Sequence, residues 1–151
     1  MIGTWDKRYT NMAKEVASWS KDPSTKVGAV VIGSQGQILS QGYNGFPRGI
    51  SDFDWRLNDR PTKLKLVVHA EMNCIYNASF NGTSLKDTSL YVYGLPVCSE
   101  CAKGVIQVGI KHVFMCYPKD INDKWSKSFK DTSAMFDEAG VEYITTYPVI
   151  E

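Results

Sequence analysis

Leu66-Val67-Val68-His69-Ala70-Glu71-Met72-Asn73-Cys74 reads as the end of a loop or strand running into a helix, with His69 and Glu71 two residues apart at the helix start. Downstream lies Pro96-Val97-Cys98-Ser99-Glu100-Cys101, a pair of cysteines at C-x-x-C spacing that also opens a helix. Together the two stretches supply one imidazole, two thiols and a carboxylate that is not needed as a ligand. Three protein ligands with an open fourth position is the formula of a catalytic zinc rather than a structural one. Cysteines three apart at a helix start can both face one metal. The partial positive charge there lowers thiol pKa and favours the thiolates that zinc needs. Zinc in turn lowers the pKa of a water in the fourth position toward roughly 7. Glu71 can reach that water without ligating, take its protons, and hand them in turn to a ring nitrogen and to a leaving amine.

The competing reading is a closed structural zinc, completed by Cys116 or His112, in which Glu71 has no task. Alone, Glu71 would read as a solvated carboxylate favoured by the helix dipole. Beside a metal ligand it reads as the proton carrier. Cys74, one turn beyond Ala70, reads as packing.

The chain has 151 residues, which suggests a single domain spanning 1–151 and a core that needs no staples. With 43% hydrophobic and 22% charged residues it is an ordinary globular composition. The formal charge of +1 leaves no global basic field, so a nucleic-acid partner is not expected. No apolar run has transmembrane length, and Asp6, Lys14 and Glu15 make residues 1–20 unlike a signal peptide. A soluble cytoplasmic protein without a membrane partner is expected. In such a domain Cys74, Cys98, Cys101 and Cys116 do not read as a disulfide framework, and the C-x-x-C pair reads as metal-binding.

Tyr9, Met12, Ala13, Val16 and Trp19 recur at helical spacing and predict a helix over 4–20, with Thr4 as N-cap and an end before Asp22-Pro23. Residues 27–32 and 37–43 form a hairpin around Gly33-Ser34-Gln35-Gly36. Asn44-Gly45-Phe46-Pro47-Arg48-Gly49 breaks the pattern, and the charged residues 50–65 read as an irregular functional or mobile connection. Helices are predicted over 70–80, 99–108 and 124–139, closed by Asn81-Gly82, Gly109 and Gly140. Strands are predicted over 89–93, 111–116 (stopped by Tyr117-Pro118) and 142–146. The order α-β-β-α-β-α-β-α-β places the chain in the α/β class, as a three-layer α/β/α sandwich with a mixed five-stranded sheet.

Four stretches carry a resemblance: Asp22-Pro23-Ser24-Thr25-Lys26-Val27-Gly28-Ala29, Gly42-Tyr43-Asn44-Gly45-Phe46-Pro47-Arg48-Gly49, His69-Ala70-Glu71-Met72-Asn73, and Cys98-Ser99-Glu100-Cys101-Ala102-Lys103. From Trp5 to about Tyr143 the chain resembles the deoxycytidylate (dCMP) deaminase family of the cytidine deaminase-like fold. His-Ala-Glu with C-x-x-C is specific for zinc deaminases in general, and the second stretch narrows the likeness to the deoxycytidylate branch. The resemblance implies a Zn²⁺ enzyme that hydrolyses dCMP to dUMP and ammonia, feeding dTMP synthesis. Zinc-activated hydroxide would attack C4 of cytosine with Glu71 shuttling protons. It implies that Asn44 meets the deoxyribose and base edge, that Ser24, Lys26 and Tyr117 meet the 5′-phosphate, and that Ala70 is a further substrate contact. It implies an effector site for dCTP or dTTP around Gly42, Asn44, Gly45 and Arg48 in regulated members, and a homo-oligomer, commonly a hexamer. One departure is plain: the signature has Pro directly before the first Cys, whereas Val97 intervenes here.

Read without the resemblance, Asn44-Gly45 serves equally well as a turn, and Lys26 as a solvated charge. Arg48, Arg56, Arg60, Lys63 and Lys65 form a basic loop, either solvated or a phosphate-attracting rim, with Arg48 the favoured rim residue. Trp55 and Phe46 either stack on a base or cap the core. Two rivals stand beside the deoxycytidylate reading. One is another deaminase on this fold, acting on free cytidine, on guanine or on tRNA adenosine. The other is a non-catalytic zinc module, which requires a closed four-ligand site.

Overall fold

The strand Gly28–Ile32 (β1) is buried at every position, because it is covered on both faces and paired along both edges. The computed structural model describes residues 3–117 and 121–146. β1 pairs antiparallel with Ile38–Tyr43 (β2) on one side and antiparallel with Ser89–Tyr93 (β3) on the other. Beyond β3 come His112–Cys116 (β4) and Glu142–Thr146 (β5), each parallel to its neighbour. The five-stranded mixed sheet therefore has the order β2-β1-β3-β4-β5. The expected α/β class, the layer arrangement and the sheet type all stand.

Alternation along β1 divides the core into two layers. Val30 and Ile32 point to the side of the helix Thr4–Ala17 (α1) and pack with Tyr9, Ala13, Val16 and Tyr91. Ala29 and Val31 point to the other side, where the helices Ala70–Phe80 (called α4 below, after the two short helices of the connection), Ser99–Gln107 (α5) and Asp123–Ala139 (α6) cover the sheet. Parallel neighbours need crossovers: α5 links β3 to β4, and α6 links β4 to β5. No helix among the described residues is long and apolar enough to cross a membrane.

Three local expectations change. The N-cap of α1 is Gly3 and not Thr4, with the Asp6 carboxylate accepting the Gly3 N–H at 3.1 Å. The helix also stops at Ala17, short of the Asp22-Pro23 stop. The connection over 50–65 is not irregular. It holds two short helices, Asp54–Asn58 (α2) and Arg60–Leu66 (α3). Asp59 caps α3 by accepting the Thr62 N–H at 3.3 Å, and Pro61 sits in its first turn. These helices bury almost no apolar residue, so hydrophobic periodicity cannot reveal them. The expected stop at Pro118 lies outside the described residues.

The helix α4 is held by close contacts. Gly45 and Val68 exchange two backbone hydrogen bonds, Gly45 N–H to Val68 O at 3.1 Å and Val68 N–H to Gly45 O at 2.8 Å. The Asn73 amide adds a bond to Tyr43 O at 2.7 Å. α4 lies so near β2 that a Cβ on Gly42 would come within 2.8 Å of Ala70 O. Gly42, expected at an effector site, also packs tightly beneath α4. Gly42→Ala is expected to lift this helix and cost about 1–3 kcal/mol as overpacking, read as a lowered Tm together with weaker metal retention.

Candidate active site

His69 is the N-cap of α4 and Cys98 the N-cap of α5, so both helices begin at one place. Cys98 follows the end of β3 by a short link. This puts the site beyond the carboxyl end of a parallel strand, where open α/β sheets carry their ligand crevices. Nδ1 of His69 lies 3.4 Å from Sγ of Cys98 and 3.3 Å from Sγ of Cys101. Zinc bonds of about 2.3 Å to sulfur and 2.0–2.1 Å to nitrogen set S and N roughly 3.5 Å apart at tetrahedral angles. The donor set fits zinc both in chemistry and in spacing.

Among the described residues, this trio is the one group of His, Cys, Asp and Glu side chains close enough to hold an ion. The closed-site alternative has no support: His112 lies against Glu142 at 3.3 Å, and Cys116 is buried at the end of β4, in register with Tyr93. Glu71 is buried beside the trio and is not one of its members.

The electrostatics of the protein's own groups are sharply divided. Hydrogen bonds from Cys101 and His69 bring the Cys98 thiol down to about 4. The same pairing with Cys98, together with burial, pushes Cys101 up. The bond to Cys98 raises His69. Burial, and then the Cys98 charge, push Glu71 up to about 7.

A cavity of about 350 Å³ opens on His69, Glu71 and Cys98. Ser24, Asn44 and Ala70, expected as substrate contacts, also line it. Asn44 has a second duty: its Oδ1 accepts the Val27 N–H at 2.9 Å and its Nδ2 donates to Thr25 O at 2.9 Å, pinning the Ser24 loop. Lys26 is exposed and does not line the cavity. Tyr117 does not line it either, because its ring is buried and set edge-on to Phe129. Arg48 lies away from this cavity, bonded to Asn77 and stacked over Phe80 at 4.6 Å. Of the basic loop, Arg60 and Lys63 reach the cavity instead. Trp125, an aromatic wall residue, was also not foreseen, since its position in α6 carries no local signal. Trp55 is exposed, and Phe46 lines a smaller cavity of about 140 Å³ with Asn44 and Gly45.

The displaced proline has a structural account. Pro96 keeps its place on the cavity wall. Val97 turns into the core, where its carbonyl accepts the Thr132 hydroxyl at 2.9 Å. Val97 packs against α6, and the Cys98–Cys101 cap is intact. Two variants separate ligand from non-ligand. Cys98→Ser should lose bound zinc and lower the Tm, whereas Glu71→Ala should retain stoichiometric zinc by elemental analysis.

A family model described as the cytidine and deoxycytidylate deaminase zinc-binding region matches residues 3–117. A protein of Aliivibrio fischeri, described as an uncharacterized deaminase in the luxG 3′ region, is 39% identical over 150 residues, covering 99% of this chain and 97% of its own. The deoxycytidylate deaminase of Pongo abelii is 41% identical over 146 residues, covering 92% of this chain and 78% of its own. Among solved structures, the dCMP deaminase of cyanophage S-TIM5 in complex with dCMP and dUMP matches with a TM-score of 0.76 at 24% identity, over 97% of this chain and 99% of that one. With the trio and Glu71 in the matched segment, the chain belongs to the zinc-binding cytidine and deoxycytidylate deaminase family.

Proposed function

We propose that this chain hydrolyses dCMP to dUMP and ammonia. The observation that carries the reading is a buried carboxylate, Glu71, sharing one cavity with a three-donor metal set to which it does not belong. Deoxycytidylate deaminases about 40% identical over most of the chain support the substrate.

His69, Cys98 and Cys101 would hold Zn²⁺, which supplies Lewis acidity and a water of near-neutral pKa when bound. Glu71 does the proton work. Its carboxylate lines the same cavity as the donors without belonging to them, so it is placed to take a proton and return it. It carries one of the water's two protons to the ring nitrogen of cytosine, where it stays, and the second to the C4 amine, which departs as ammonia. Deamination consumes water, so the cavity must admit water while holding the base still.

Ser24, Asn44 and Ala70 are the proposed nucleotide contacts, and their place on the cavity wall supports them. Lys26 and Tyr117 rest on the family resemblance alone. Regulation by dCTP or dTTP near Gly42–Arg48 is proposed on the same resemblance and on the smaller cavity that Asn44 and Gly45 line. A homo-oligomer, hexameric by resemblance, a cytoplasmic location, and one catalytic unit spanning 1–151 complete the reading.

Ammonia release should be measured from dCMP, dCTP, deoxycytidine and cytosine side by side. We expect dCMP to be the best substrate, and Glu71→Gln to lose about 10²–10⁴-fold in kcat. Failure to turn over any cytosine compound would refute the activity, and a fully active Glu71 variant would refute the proton role.

A further inference from the structure

Lys63 is an unusual wall residue. It comes from α3, which is otherwise exposed or half-buried, yet its side chain is only 6% exposed. Its ammonium lies 3.1 Å from Asp22 Oδ1 and 3.2 Å from Ser24 Oγ. A buried ammonium persists only against a partner, and Asp22 is that partner. The same Asp22 oxygen accepts the Ser24 N–H at 2.8 Å and the Thr25 N–H at 3.2 Å. One carboxylate oxygen therefore clamps both the lysine and the loop that carries Ser24.

The chemistry of the second bond fixes a direction. An ammonium has three donors and no acceptor, so Lys63 must donate to the Ser24 oxygen. The hydroxyl hydrogen is then left to point elsewhere, and among the described residues it meets no protein acceptor. Arg60, one helical turn before Lys63, lines the same cavity. This corner offers a hydroxyl donor and two cations, while its one carboxylate is already engaged by three donors. Such a corner suits an anion with several acceptor oxygens, such as a phosphate monoester.

We propose that Lys63 is a positioning residue that orients the Ser24 hydroxyl as a donor into the cavity and thereby makes the enzyme prefer a 5′-monophosphorylated nucleotide over the nucleoside. The proposal rests on the reading that a cytosine nucleotide occupies this cavity. It assigns the decisive cation to Lys63, a residue distant in sequence, and not to Lys26 beside Ser24.

The test compares kcat/KM for dCMP with that for deoxycytidine. Lys63→Met should lower the dCMP-to-deoxycytidine ratio about tenfold or more, through KM for dCMP and not through kcat. Ser24→Ala should lower the ratio similarly, and adding it to Lys63→Met should cost no more than about twofold further, since the two act as one unit. Lys63→Met leaves the Asp22 charge buried without its partner, so the double variant Lys63→Met with Asp22→Asn is measured alongside. It removes both charges, while an amide oxygen still accepts the loop N–H groups, and the same fall in the ratio is expected. Equal losses on dCMP and deoxycytidine in that double variant would make Lys63 merely structural and overturn the proposal. An unchanged ratio, or additive losses for Lys63 and Ser24, would overturn it too. If the unmodified enzyme turns over deoxycytidine but not dCMP, the substrate reading itself fails, and the proposal with it.

Discussion

One nitrogen must stand within 3.4 Å of two sulfurs carried on a different helix. Most of the structure answers that demand. α4 has to begin where α5 begins, although 29 residues separate His69 from Cys98. α4 achieves this by lying on β2 and β1, close enough that Gly42 has no room for a side chain. α5 achieves it by starting directly beyond β3, the strand that pairs β1 on its other edge. The central strand thus sets the separation of two helix starts, and the helix starts set the donors.

The same convergence sorts the acids of the site. Cys98, bonded by Cys101 and His69, drops to about 4, while Glu71, buried and beside that charge, rises to about 7. Geometry divides their roles: Cys98 belongs to the donor trio, which assigns it to holding the metal, and Glu71 lines the cavity outside the trio, which leaves it to proton transfer. Neither assignment needs a special backbone. His69 and Cys98 have the ordinary extended conformation of an N-cap, and Glu71 lies in the first turn of α4.

How much of this was legible in the sequence depends on how local the signal was. His69, Glu71, Cys98 and Cys101 sit in two short stretches whose residue types and spacing are tied to their chemistry, so they could be read directly. The strands and long helices carry their own periodicity, and the mixed sheet follows from their order. The helices of residues 54–66 could not be read that way, because they bury almost nothing apolar; only the Asp59–Pro61–Thr62 cap marks them. Lys63 was hidden for a different reason. Its meaning is a contact with Asp22, 41 residues earlier, and among the neighbouring cations the sequence favoured Arg48 instead. Asn44 was half legible: its place on the wall was expected, while its amide's bonds to Val27 and Thr25 were not. Tyr117 followed from likeness and not from chemistry, and the packing of its ring on Phe129 leaves it outside the cavity lining.

The paired hydrogen bonds between Gly45 and Val68 make residues 46–67 a cassette with a sewn base. The strand before it and the metal helix after it are fixed to one another at the seam. Yet the cassette is not idle, since it touches the catalytic cavity through Lys63 and the smaller cavity through Asp52, which pairs with Lys21 at 3.0 Å. The sheet and its helices hold the donor trio, and the segment between the seam residues supplies part of the cavity wall through Arg60, Lys63 and Leu64. The residues that would hold the metal and part of the wall that a ligand meets thus come from different stretches of the chain, joined at one seam.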